Sequence, residues 1–398
     1  MAEAGPIEPA LRRARVEIDL AALERNFDRL AARVAPARAL AVVKADAYGH
    51  GAVAVARALE PRGVAGFAVA LAEEGMELRR AGVAAPILVL SPVPVAAYPY
   101  LHRYRLVPAV SGLDQLAALD AHARGAGWRV PVHLKFDTGM TRLGITPEAA
   151  GEAFARVRSS PALELAGVMS HLAEAETPES PANREQEIRF EQVLAALPGE
   201  ERAGVAVHFA NSAAALYQPP KRHDLVRLGL ALFGLDPARP RARGELEPVL
   251  SLVAGIVQIK PAAKDTRVGY GGRWVAARPS RVAIVPVGYA DGYSWRLSNR
   301  GEAIVAGRRV PVVGAVSMDM LALDVTDAGA DVGDEVVLVG RRGEVEVSIA
   351  ELAAAAGTLP YELLCLFGLR LPRVVRRSAA ADSARPDARQ PAADRVAG

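Results

Sequence analysis

Ala41-Val42-Val43-Lys44-Ala45-Asp46-Ala47-Tyr48-Gly49-His50-Gly51 carries a short apolar strand into a lysine, then into a glycine-rich turn and a helix-forming run. A lysine at the end of a buried strand is costly to desolvate unless the fold uses it. One use is nucleophilic, because a desolvated amine gives up its proton more readily and can condense with a carbonyl carbon as a Schiff base. The other is structural: the stem covers apolar surface while the ammonium stays in water.

Outward from Lys44, short β-branched runs alternate with alanine-rich amphipathic stretches as far as Leu235. Strands are expected at residues 39–43, 66–70, 86–90, 106–110, 130–136, 165–169, 205–209 and 225–232. Between them, apolar residues recur at helical spacing over residues 72–81, 113–124, 147–158 and 184–197, with Ser111 placed to cap the second of these. Eight strands alternating with helices are the count of a (β/α)8 barrel, although a doubly wound open sheet shares the alternation. The polar residues favour the barrel. Lys44, Lys135, Arg142, His171, Ser212 and Arg227 fall at or just past the C-terminal ends of different strands, where a barrel gathers its active site.

After Pro237 the helical alternation gives way to short strands with glycine turns, expected at residues 250–260, 280–287, 302–305, 310–313, 320–325 and 335–339. One late helix, residues 349–356, follows a capping box made by Ser348 and Glu351. The expectation is an α/β chain: a TIM-type barrel over residues 13–240, a mainly β domain over 241–377, a disordered N-terminus at 1–12 and a disordered tail at 378–398.

Composition narrows the function. The chain is 51% hydrophobic over 398 residues, with no apolar run near the ~18 residues that span a membrane. Its N-terminus lacks the basic and apolar regions of a signal peptide, and its single cysteine, Cys365, suits a reducing compartment, so a cytoplasmic protein is expected. Cys365 lies in an apolar run and reads as core. The formal charge is only +3, and the arginine cluster Arg370, Arg373, Arg376 and Arg377 comes without an aromatic platform, so no nucleic-acid partner is expected. No metal site is expected either.

The Lys44 segment resembles the pyridoxal-phosphate (PLP) lysine motif of the alanine racemase family at essentially every position. Other segments match the same family in order and spacing. They are His133-Leu134-Lys135-Phe136-Asp137-Thr138-Gly139-Met140-Thr141-Arg142-Leu143-Gly144, His208-Phe209-Ala210-Asn211-Ser212-Ala213 and Val226-Arg227-Leu228-Gly229-Leu230. In the β region come Val268-Gly269-Tyr270-Gly271, Val287-Gly288-Tyr289-Ala290-Asp291-Gly292 and Val316-Ser317-Met318-Asp319.

The resemblance implies a PLP-dependent two-base racemase that supplies D-alanine for peptidoglycan. Lys44 would hold the PLP aldehyde and act as one base; Tyr48, Ser212 and the backbone at Gly229 and Leu230 would bind the phosphate. Arg227 would face the pyridine nitrogen, unless it is simply a surface partner of Asp224. Tyr270 would be the second base, helped by His171, since a phenol ordinarily ionises near pH ~10. Family architecture further implies a homodimer in which Tyr270, Met318 and Asp319 enter the partner's site, with Tyr289 in support. Arg142 and the Met318 backbone would bind the substrate carboxylate, and Lys135, at a position often carbamylated, would orient Arg142.

Two departures stand out: Ser317 where cysteine is common, and Leu369 where some members have a tyrosine that restrains the catalytic one. The loss of that hydroxyl would loosen substrate selection. A broader-specificity racemase is therefore an alternative. A non-catalytic PLP-binding protein is less apt, because such proteins lack the β domain. A decarboxylase of this fold would need a catalytic cysteine, for which Cys365 is the one candidate.

Overall fold

The computed structural model describes residues 13–217, 223–238 and 244–376, and the expected disordered ends at 1–12 and 378–398 lie outside the described residues. Strand β1 (Arg15–Asp19) leads into the helix Leu20–Val34, whose first turn is capped by Asp19 accepting the Ala22 N–H at 3.0 Å. Eight parallel strands follow: β2 (Arg38–Val42), β3 (Gly66–Val69), β4 (Ile87–Val89), β5 (Leu106–Val110), β6 (Val130–Lys135), β7 (Leu163–Met169), β8 (Ala206–His208) and β9 (Leu225–Leu228). They form a closed barrel, β2 pairing with β9. All eight expected strands are present with ends moved by a few residues, and the open doubly wound sheet is excluded. Strands β3, β4 and β9 are buried at every position, as expected when helices cover one face of a strand and a filled barrel the other.

Local details depart from expectation where backbone geometry overrides pattern. Gly112, not Ser111, caps the helix Leu113–Ala126, and the Ser111 hydroxyl is buried without a partner among the described residues. Residues 225–232 are not one strand: β9 stops at Leu228, and a 3-10 turn, Leu230–Phe233, follows.

The second region contains β10 (Leu250–Gly255), β11 (Gln258–Ala262), β12 (Arg267–Val268), β13 (Trp274–Val275), β14 (Ser280–Val285), β15 (Glu302–Val305) and β16 (Arg308–Pro311). It ends with β17 (Leu321–Asp324), β18 (Glu335–Arg342), β19 (Val345–Val347) and β20 (Arg373–Arg376). The expected strand at 250–260 is two strands, because the chain leaves β10 in one sheet and enters β11 in another. The larger sheet runs β16-β15-β18-β10-β1-β20, so the first strand of the chain sits between β10 and β20 and not with the barrel that follows it. The expected 13–240 barrel segment thus begins with a strand of the other sheet. Its apolar face explains the placement: Val16 and Ile18 are fully buried.

Charge reinforces that junction. Glu17 is buried and pairs with Arg15 at 2.6 Å, Arg342 at 3.2 Å and Arg376 at 2.6 Å, tying β1 to β18 and β20. Two other C-terminal arginines are also structural: Arg370 pairs with Asp319, and Arg373 donates to backbone carbonyls of Gly49, Phe367, Gly368 and Leu371. Among the described residues no single helix is long and apolar enough to cross a membrane. Replacing Glu17 by Gln removes the carboxylate shared by three guanidinium groups, of which Arg342 keeps Glu335 at 2.7 Å, and should destabilise the fold by about 1–3 kcal/mol. The expected result is a lower urea midpoint at unchanged slope; an unchanged midpoint would show that the cluster contributes nothing net.

Candidate active site

At the C-terminal end of the barrel, a cavity of about 460 Å³ is lined by Lys44, Tyr48, Lys135, Arg142, His171, Ser212, Arg227, Gly229 and Leu230. These residues come from β2, β6, β7, β8 and β9 or the loops and turns that follow the strands. Every barrel residue expected in the site is therefore in one place.

The turn after Lys44 is not the ordinary helix start that its composition suggests. Ala45, Asp46, Ala47 and Tyr48 all have φ between 51° and 54°, a left-handed turn built without glycine. Such geometry costs roughly 1–2 kcal/mol per residue and needs outside support. The Glu74 carboxylate supplies part of it, accepting the Ala45 N–H at 2.6 Å, while Asp46 accepts the Ala52 N–H at 2.7 Å. His50 Nδ1 lies 2.9 Å from the Ala47 carbonyl and 3.0 Å from that of Tyr48, so this nitrogen carries the proton and donates. Gly49, at φ +80°, lets the helix Pro360–Leu366 close over the turn; a Cβ there would sit 2.3 Å from the Leu364 carbonyl oxygen.

This conformation delivers Tyr48 to the cavity wall. Gly229 must be glycine beside it, since a Cβ would lie 2.7 Å from the Tyr48 hydroxyl oxygen. Ser212 Oγ accepts the Gly229 N–H at 2.8 Å. Two hydroxyls and the backbone turn at Gly229 and Leu230, its Gly229 N–H held by Ser212, thus line a cradle suited to a phosphate. Lys44 is half-buried, and desolvation followed by the nearby Arg142 lowers its pKa. A phosphate cradle with a desolvated amine across the same cavity is the donor set that PLP requires.

Arg227 is buried with no carboxylate beside it. Its Nη1 donates to His208 Nδ1 at 3.0 Å and to the His208 carbonyl at 3.1 Å. Its Nη2 donates to the carbonyls of Ser170 and Phe209 and to His171 Nδ1, the last at 3.0 Å. Burial lowers its pKa to about 10, which leaves it a cation at neutral pH. Asp224 is no partner of this arginine; its carboxylate accepts the Val207 N–H at 2.8 Å.

Lys135, at the end of β6, is buried, its pKa lowered to about 8 by burial first and then by Arg142 and Arg227. The loop carrying Arg142 is wound around Asp137, whose carboxylate accepts the N–H groups of Gly139, Met140, Thr141 and Arg142 at 2.9–3.1 Å. Burial opposes the charge on Asp137, yet these amides hold its pKa below the usual range.

Tyr270, Tyr289, Met318 and Asp319 do not line the cavity. They lie on the surface of the β region, Tyr270 being 77% exposed. Tyr361 does line it and was not foreseen: its ring lies 6.2 Å from that of Tyr48, and its hydroxyl donates to Glu176 at 3.3 Å. The only advance signal was its place after Pro360 at a helix start, which many structural tyrosines share. Leu369 is 91% exposed and, like Tyr270 and Met318, does not line the cavity of a single chain. Cys365 is exposed and not core, because the short helix Pro360–Leu366 turns only one face inward.

The family model for the alanine racemase N-terminal domain matches residues 18–237, and that for the C-terminal domain matches residues 249–375. The chain belongs to the alanine racemase family. It is 42% identical over 370 residues to the alanine racemase of Geobacter sulfurreducens, covering 90% of this chain and 96% of the relative. The alanine racemase of E. faecalis superimposes with a TM-score of 0.87 at 35% identity, covering 92% and 99% of the two chains. The alanine racemase of Bartonella henselae, solved with covalently bound pyridoxal phosphate, gives 0.83 at 31% identity, covering 92% and 99%.

Four histidines of this family member are held neutral. Burial lowers His50 and His133 to about 4 and takes His171 and His208 well below the ordinary value. The unfolded chain binds their protons near pH ~6.5 and the folded chain does not, so stability should fall as the pH drops from 6.5 toward 4. For His50 alone the loss is about 3 kcal/mol across that window. Urea titrations at stepped pH should show this slope, flattened in His50→Gln; equal midpoints at pH 6.5 and 4.5 would contradict it.

Proposed function

We propose that this protein interconverts L-alanine and D-alanine with PLP, moving a proton between two bases on opposite faces of the substrate in sites completed by a second copy of the chain. One observation carries this reading: all the barrel residues of the expected site share a cavity, whereas Tyr270, Met318 and Asp319 stand exposed elsewhere on the same chain. A second subunit accounts for both facts.

PLP in this cavity supplies an electron sink that acidifies the substrate Cα–H. Ser212, Tyr48 and the backbone at Gly229 and Leu230 bind its phosphate. Lys44 Nζ, below its ordinary pKa, takes the proton from one enantiomer. Tyr270 of the second copy serves the other face. Arg227 donates to His171 Nδ1, so His171 keeps its proton on Nε2 and offers it to the phenol oxygen. The contacts of Arg227 occupy both its terminal nitrogens, leaving Nε–H as the donor for the pyridine nitrogen. A guanidinium donates a hydrogen bond but withholds its proton, which favours returning the abstracted proton to Cα over transamination. Arg142 and the Met318 backbone orient the carboxylate, with Asp319 and Tyr289 shaping the approach. D-Alanine made this way serves peptidoglycan.

Lys44→Ala should lose the visible absorbance of the PLP adduct and fixation by borohydride. Tyr270→Phe should keep the adduct while activity falls on the order of 10²–10⁴-fold. Co-expressed, differentially tagged Lys44→Ala and Tyr270→Ala chains should recover activity as a heterodimer, because one of its two sites holds both bases. An inactive, PLP-loaded heterodimer would overturn the shared site.

Lys135 reacts with carbon dioxide through its neutral amine, forming an N–C bond and releasing one proton; a pKa of about 8 makes that amine abundant at mildly alkaline pH. Protein equilibrated with ¹³C-bicarbonate should show a carbamate carbon resonance that Lys135→Arg lacks. No such signal in the unmodified chain would refute the modification.

A further inference from the structure

The barrel interior below the cavity holds a second polar layer that the racemisation mechanism leaves unused. His133 alternates with Lys135 along β6, so both face the inside of the barrel, one layer apart. His133 Nδ1 lies 2.8 Å from His208 Nε2, with the rings edge-on at 71°. Barrel interiors are normally filled by branched apolar side chains. Room for an imidazole is made by Gly167 on β7, where a Cβ would sit 2.4 Å from the His133 ring.

Hydrogen-bond direction along this chain is forced from one end. A guanidinium has donors and no acceptor, so His208 Nδ1 must accept from Arg227. His208 is neutral, its pKa driven down by burial, and therefore carries its one proton on Nε2. That proton points at His133 Nδ1, which must accept it, leaving the His133 proton on its own Nε2.

We infer that His133 is a positioning residue that locks the tautomer of His208, and through it the acceptor that holds Arg227 in place. Without an acceptor at position 133, the Nε2–H tautomer of His208 would bury an orphaned donor, which a folded interior disfavours. Moving that proton to Nδ1 removes the orphan but sets donor against donor at Arg227. Either way Arg227 loses a fixed partner while Lys44 and the phosphate cradle are untouched. This inference rests on the proposed role of Arg227, but its first test does not.

Nitrogen-15 NMR of histidine-labelled holoenzyme distinguishes protonated from bare ring nitrogens. The expected result is His208 protonated on Nε2 and His133 bare on Nδ1 in the unmodified protein; His208 protonated on Nδ1 would overturn the lock whatever Arg227 does. His133→Gln, whose side-chain oxygen can accept, should retain that His208 signature, whereas His133→Leu should shift it toward Nδ1–H. In kinetics, His133→Leu should lower kcat about 10–100-fold, as loss of outer-layer orienting partners does elsewhere, with KM and PLP loading little changed. His133→Gln should recover most of it. A leucine variant with the unmodified His208 signature, or a glutamine variant as impaired as leucine, would refute the inference. If the NMR result holds and kcat is unmoved in both variants, the assigned role of Arg227 fails instead.

Discussion

Four consecutive left-handed residues after Lys44 are the constraint around which the site is arranged. An ordinary right-handed turn would swing Tyr48 off the wall it shares with Gly229 and would shift the backbone that Leu364 covers. The intrinsic cost of this turn, roughly 4–8 kcal/mol, exceeds what any single hydrogen bond returns. It is met collectively by Glu74 from the next βα unit, by His50 within the loop and by Arg373 from the far end of the chain. Strain stored at a functional site is held by the rest of the fold, and here that includes both domains.

The same logic governs the floor of the pocket. Arg227 is a buried cation with no counter-carboxylate, which ordinarily costs several kcal/mol. Backbone carbonyls and two neutral imidazoles solvate it instead, a neutral cage that leaves the charge available. A carboxylate in that position would stabilise the arginine better and would also change the field felt by anything above it. Stability has been traded for a positive potential at a chosen depth.

How much of this was legible in the sequence follows from which forces act locally. The barrel strands were readable because strands buried on both faces are short continuous apolar runs between turn signals, as at Phe67–Val69 and Ile87–Val89. The barrel residues that share the cavity were legible because the segments around them resemble one family's motifs in order and spacing; a lysine or histidine at a strand end alone more often has a structural role. The left-handed turn was not, since alanine, aspartate and tyrosine give no local sign of it and long-range contacts impose it. Cys365 misled for a related reason: an apolar run signals burial only if the helix shows every face to the interior. The pairing of β1 with β10 and β20 joins strands near opposite ends of the described chain, and no short-range pattern can report that.

That pairing has a consequence for biosynthesis. A ribosome releases β1 first and β20 last, with the whole barrel made in between. The barrel strands can close as soon as β9 is out, but Val16 and Ile18 have no strand neighbour until β10 emerges, and the Glu17 carboxylate lacks its arginine partners on β18 and β20 until later still. The nascent protein therefore carries β1 unpaired while the whole barrel is made, an edge open to misassociation. When β20 docks, it completes the sheet and delivers Arg373 to the carbonyl of Gly49 in the same event. The turn that follows Lys44 is thus fastened at Gly49 only after both regions of the chain have been made.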